Sequence, residues 1–154
     1  MKRFFKTPYP TLFLLYCSLM VWLLFGQRVG RVTVWDYPQQ LRLNLNLIPF
    51  ATIRRYLGFL REQQGALLRH AVINLAGNIV MFVPLGFFLP CLFPKLRGFF
   101  PLLLTAVLLI VGIELIQLFS LLGSCDIDDL LLNLPGIVIG FCLFRFLRKT
   151  AISD

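Results

Sequence analysis

AVINLAGNIVMFVPLGFFLPCLF, residues 71–93, decides the fold. It holds no charged side chain, and it is slightly longer than the roughly 20 residues an α-helix needs to cross the apolar core of a bilayer. Pro84 has no N–H to give, so a kink is expected between Val80 and Pro84 rather than a break. Outward from this run lie three more, at about 9–25, 99–122 and 129–147. The first follows Lys2, Arg3 and Lys6, and GQRVGR after it offers no small-residue cleavage site, so it reads as an uncleaved first helix. The pattern predicts an all-α integral membrane four-helix bundle in a single domain spanning 1–154. A long, partly amphipathic loop joins its first two helices.

Composition agrees. The 154 residues are 58% hydrophobic and 14% charged, with mean hydropathy +0.83, whereas a soluble domain is nearer a quarter charged. The net charge of +8 does not point to nucleic acid, because the basic residues sit between apolar runs. That distribution suits membrane topology and contact with lipid headgroups. Cys17, Cys91, Cys125 and Cys142 form no CxxC and no Cys/His spacing suited to zinc, and neither a disulfide framework nor a cofactor is expected.

The loop from 26 to 69 carries seven arginines, at 28, 31, 42, 54, 55, 61 and 69. After Pro49 a helix is expected from Thr52, with Ile53, Tyr56, Leu57 and Leu60 on one face and Arg54, Arg55 and Arg61 largely off it. That is the pattern of a helix lying in the membrane interface, or of a solvated loop with a short amphipathic helix. Lysine and arginine counts nearly balance across the membrane. The tight PKLRG turn (94–98) and basic Arg145, Arg148 and Lys149 weigh more than a long loop does. They favour both termini on the cytoplasmic side of the membrane.

The polar residues inside the apolar runs converge at one level. His70, Asn74 and Asn78, spaced four apart, share a face of the second span in its loop-side half. Glu114, the one charge within the third span, lies about 12 Å from that span's expected loop-side end at 1.5 Å per residue, and Gln117 follows on the same face. Asp126, Asp129 and Asn133 share a face at the start of the fourth. A charge near a bilayer centre costs roughly 2.5–3.5 kcal/mol on insertion scales, so scatter is a poor explanation. The expected arrangement is a polar pocket of Asn74, Asn78, Glu114, Gln117, Asp126, Asp129 and Asn133 opening under Arg54 and Arg55. Plainer roles compete. The aspartates suit a helix N-terminus, Asn74 and Asn78 suit interhelical hydrogen bonds, and Gly136 and Gly140 form a GxxxG packing face.

NLIPFATI, NLAGNIVMFVPLGFFLP, the ExxQ of Glu114 and Gln117, and DIDDLLLNLPGIVIG, in this order over about 43–145, resemble the VanZ-like proteins. The family pattern falls on Asn46, Pro49, Phe50, Asn74, Asn78, Pro84, Gly86 and Pro90. It then takes in Glu114, Gln117, Asp126, Asp128, Asp129, Asn133 and Gly136. The resemblance implies a small bacterial membrane protein of the cell envelope, in a family associated with glycopeptide resistance, low-level teicoplanin resistance in its named member. Many members carry an arginine shortly before DIDD, and Gly123 stands there in this chain.

Three functions follow as expectations. The first is a non-enzymatic protein binding an amphiphile, a lipid-linked cell-wall intermediate or a glycopeptide at the outer membrane face, with arginines on phosphate or peptide groups. The second is an enzyme acting on a lipid headgroup or diphosphate, with Asp126, Asp128 and Asp129 as weak metal ligands and Glu114 as acid or base. The third is a small transporter or flippase component, which with four helices would need to form a homo-oligomer.

Overall fold

The computed structural model describes residues 9–26, 29, 36–62 and 65–153, without the side chains of 60, 62 and 151–153. Lys2, Arg3, Lys6, Arg28 and Arg31, which enter the orientation count, and the Leu60 side chain lie outside the described residues. The architecture is all-α, and among the described residues four helices are long and apolar enough to cross a membrane: Tyr9–Gly26, Gly65–Leu92, Phe99–Phe119 and Ile127–Thr150. The first consists of α1 (Tyr9–Val21) and a wider π turn (Trp22–Gly26). The others are α4 (Gly65–Leu92), α5 (Phe99–Phe119) and α6 (Ile127–Ser153). Their outward faces are apolar, with Val80, Leu104, Leu108 and Phe146 all largely exposed, as a lipid-facing surface requires.

The bundle is built around α4 against α6. Glycines let the two backbones touch. A Cβ at Gly86 would collide with the Ile137 carbonyl, one at Gly136 with the Ile79 carbonyl, and one at Gly140 with the Val83 carbonyl. Phe82, Ile137 and Phe144 fill the space around that seam, and Leu102, Ala106 and Ile110 bring α5 onto it. The helix α4 starts at Gly65, earlier than the apolar run at Ala71, and continues unbroken through Pro84 and Pro90. Close to the N–H that Pro84 lacks, the Tyr16 hydroxyl of α1 donates to the Met81 carbonyl at 2.8 Å. A 3₁₀ turn, Pro94–Arg97, leads into α5.

The loop between the first two spans is a built structure. Asp36 caps α2 (Tyr37–Leu43) by accepting from the Gln39 N–H. The Tyr37 hydroxyl donates to the Phe119 carbonyl at the end of α5 (2.8 Å). Two short strands, β1 (Leu45–Asn46) and β2 (Cys125–Asp126), pair in parallel, Leu45 with Cys125 and Asn46 with Asp126. The amphipathic helix α3 (Ala51–Glu62) follows. Leu57, on its expected apolar face, is exposed, as a side chain turned to a membrane interface would be.

Candidate functional site

The loop-side ends of α4, α5 and α6 come together, and the three aspartates divide between three tasks. Asp128 is fully buried, at 0% exposure. Its Oδ1 accepts from the Phe50 N–H (2.5 Å) and its Oδ2 from the Thr52 (2.8 Å) and Ile53 (3.0 Å) N–H groups. It therefore caps α3, a helix 75 residues and more away in the chain. Carboxylates belong at a helix N-terminus because its first N–H groups have no partner within the helix. Phe50, whose N–H is one of these donors, has φ 63°, a left-handed conformation uncommon outside glycine.

Asp126 performs the cap expected at the start of α6, its Oδ1 accepting from the Asp128 N–H (2.9 Å). Its Oδ2 accepts from the Thr52 hydroxyl (2.6 Å) and the Asn46 amide (3.1 Å). Its own N–H donates to Glu114 Oε2 at 3.0 Å. Only Asp129 turns to the interior, where its Oδ1 accepts from Asn78 Nδ2 at 2.5 Å.

Beside Asp129 lies a cavity of about 290 Å³. Asn74, Asn78, Glu114, Gln117, Asp129 and Asn133 line its polar side, and Leu24, Met81, Phe82 and Ile113 are among its apolar walls. The structure thus brings together six of the nine residues expected in the pocket. Asp126 is not among them, because its oxygens are held by Thr52, Asn46 and the α6 backbone. Arg54 and Arg55 are not either. They project from α3, and Arg55 lines a separate groove with Tyr56, Phe59, Arg69 and His70. Asp128 is held by loop N–H groups, and Asp126 Oδ2 by Thr52 and Asn46. Glu114 also sits nearer the helix end than expected. The helix α5 stops at Phe119, five residues on, about 7.5 Å at 1.5 Å per residue. Leu121 then takes φ 55° and the Gly123 N–H donates to the Gln117 carbonyl, so the chain folds back over the carboxyl.

The amides show which way the cavity is biased. Asn74 Nδ2 donates to the His70 carbonyl (2.8 Å), Gln117 Nε2 to the Leu24 carbonyl (3.3 Å), and Asn78 Nδ2 to Asp129. Asn133 is only 4% exposed, and its Oδ1 is buried with no hydrogen-bond partner. A buried polar atom of this kind is uncommon and calls for a reason.

At the rim, burial raises the Tyr56 hydroxyl above the ordinary tyrosine value. The Asp129 and Asp126 carboxyls add to this, and Arg55 opposes it. Burial also raises the Cys125 thiol, with Glu114, Asp126 and Asp129 adding to it. Among the described residues no group of three His, Cys, Asp or Glu side chains is arranged to hold a metal ion. Asp126 and Asp128, with protein donors on both oxygens, offer no shared open face with Asp129.

The family profile of VanZ/LLP1 matches residues 13–148. This chain belongs to the VanZ/LLP1 family. It is 29% identical over 136 residues to Protein VanZ of Enterococcus faecium, covering 88% of this chain and 72% of that protein. No solved structure gives a significant match. The matched segment takes in α4 and α5 whole, most of the first and last apolar helices, and every residue of the cavity, so the polar ends of α4, α5 and α6 lie within the family region.

Thr52 and Leu24 are among the site residues that sequence reasoning missed. Thr52 lies two residues after the Phe50 of the family pattern. Its hydroxyl follows Pro49 at a helix start, a place where such side chains commonly bond to neighbouring polar groups. Leu24 carries no chemical signal, since only its carbonyl and its apolar surface take part.

Proposed function

We propose that this protein is a cell-envelope protein of the bacterial cytoplasmic membrane that seats an amphiphilic or lipid-linked ligand in the polar cavity. The cavity would open to the outer side, and the bound ligand would alter susceptibility to teicoplanin-type glycopeptides. The observation that carries the reading is the cavity itself. A space of about 290 Å³ lined by two carboxyls and four amides, one with an orphaned buried acceptor, is costly in an apolar bundle. Packing alone does not require it. Pockets of this kind, mostly preformed with a few converging polar groups, are the usual form of a small-ligand site.

The outer-side orientation rests on the basic turn Pro94–Arg97 and on Arg145, Arg148 and Lys149, at the helix ends away from the cavity. Short basic segments of this kind stay cytoplasmic. The glycopeptide link rests on family membership and the relative in Enterococcus faecium.

The test is drug susceptibility of a sensitive Gram-positive host expressing the chain, with teicoplanin and vancomycin compared. Wild type should raise teicoplanin tolerance alone, and Asp129→Asn or Glu114→Gln at matched membrane abundance should abolish the rise. Unchanged tolerance with good expression would refute the glycopeptide part of the reading.

A further inference from the structure

We infer that the groove between α3 and the start of α4 is a binding site apart from the polar cavity, and that it takes the phosphate of an anionic phospholipid. The inference does not rest on the binding proposal above. The groove measures about 730 Å³ and is lined by Arg55, Tyr56 and Phe59 of α3 and by Leu67, Arg69 and His70 of α4 among others. Two guanidiniums from different helices thus meet in one space. Like charges gathered in this way repel, and an anion between them relieves the repulsion. The planar fork of arginine suits phosphate oxygens in pairs. A zwitterionic head brings a cation of its own, so the two arginines favour a head of net negative charge.

Depth in the membrane makes the anion a lipid's. The helix α4 has 28 residues, about 42 Å at 1.5 Å per residue. The apolar core of a bilayer is about 30 Å thick, and the headgroup layers bring it to roughly 40–45 Å. The first turns of α4, with Arg69, therefore lie among headgroups. Ile73 is one turn deeper, and Ile73, Ala76 and Val80 form an exposed apolar stripe at helical spacing. A phospholipid with its phosphate at Arg55 and Arg69 has this stripe directly below it for an acyl chain. A free phosphate uses none of it.

The neighbouring groups leave the groove to a ligand. The Tyr56 ring packs on His70 at 5.8 Å and on Phe59 at 6.3 Å, which holds α3 against α4 beside the two arginines. Asp126 and Asp129 are near enough to raise the Tyr56 hydroxyl. Asp126, however, accepts from Thr52, Asn46 and the α6 backbone, and Asp129 lines the polar cavity. Arg54, next in the chain to Arg55, is exposed and does not line the groove, so it serves as a control of equal charge.

The experiment uses the full chain in nanodiscs of phosphatidylcholine with a minor share of phosphatidylglycerol. A diazirine side chain is placed at Leu67, in the groove, or at Leu57, exposed on α3 outside it, and the lipid adducts are read by mass spectrometry. From Leu67 the ratio of phosphatidylglycerol to phosphatidylcholine adducts should exceed the bulk ratio severalfold, and from Leu57 it should match the bulk. Arg55→Ala and Arg69→Ala should each lower the enrichment about fivefold, the usual share of one basic side chain at an anionic surface. Arg54→Ala should leave it in place, and so should millimolar glycerol phosphate. Equal ratios at the two positions overturn the inference, as does enrichment that survives both groove variants. Loss in Arg54→Ala equal to that in Arg55→Ala reduces the effect to general surface charge and overturns it. Displacement by glycerol phosphate makes the site one for free phosphate and overturns the lipid assignment. Enrichment that appears only in Glu62→Gln gives the arginines to that carboxyl and overturns it too. None of these outcomes bears on the polar cavity, whose test is drug susceptibility.

Discussion

Asp128 shows what a single buried carboxylate does here. Three main-chain N–H groups of the segment 50–53 converge on it at 2.5–3.0 Å. Charge-assisted bonds of this kind are stronger than neutral ones, and a buried donor left without its partner costs about 1–3 kcal/mol. Asp128→Asn is isosteric but turns an N–H₂ toward those donors. It should lower stability by about 2 kcal/mol on that scale, measured by denaturant unfolding in mild detergent. An unchanged midpoint would mean that α3 is held by other means. Cys125 gives a second test at this scale. Burial and the Glu114, Asp126 and Asp129 carboxyls push its thiol up, so at pH 8 less of it is the reactive thiolate than for an ordinary cysteine. Maleimide labelling should be slow and should speed up as pH rises. Glu114→Gln removes a negative neighbour, lowers the thiol's value and should speed labelling at pH 8. An equal rate in that variant would contradict the assigned cause.

Among the elements, the α4–α6 seam is the most sensitive. A methyl at Gly140 would meet the Val83 carbonyl and the backbone of Gly86 and Phe87, and backbone on both sides cannot rotate away. Overpacking of this kind typically costs about 1–3 kcal/mol, and Gly140→Ala should fall toward the upper end. Gly112→Ala, where nothing lies within 4 Å, should be neutral or slightly stabilising, since alanine is the better helix former by about 1 kcal/mol. Similar melting temperatures for the two variants would argue against close backbone contact.

The helices were legible in the sequence because an apolar run longer than a bilayer admits few other structures. The helical period alone put Asn74, Asn78, Glu114, Gln117, Asp129 and Asn133 at one level. What could not be read was the partner of each aspartate. Local capping explains all three equally well from sequence, yet only Asp126 does it. Asp128 reaches a helix some 75 residues away, and the β1–β2 pairing that positions it is two residues long, with no strand pattern to signal it. For Asp128, opposite charge suggests an arginine partner, but neutral N–H groups at a helix start serve that buried carboxylate without desolvating a guanidinium.

At the scale of the whole molecule, one half of the bundle is a close-packed apolar seam. The other half holds a polar chamber lined from the first span, α4, α5 and α6. The two halves divide the labour: glycine-mediated backbone contact fixes α4 against α6, and the rigid seam holds the chamber open beside α5. The measurement that tests this most directly is photo-crosslinking in living membranes. A photoreactive side chain would be placed at Ile113, a wall of the chamber, and for comparison at Leu104, which points outward. From Ile113 the account predicts a lipid-class adduct distinct from those at Leu104 and lost in Asp129→Asn. The same bulk-lipid adducts from both positions, unchanged by Asp129→Asn, would contradict it.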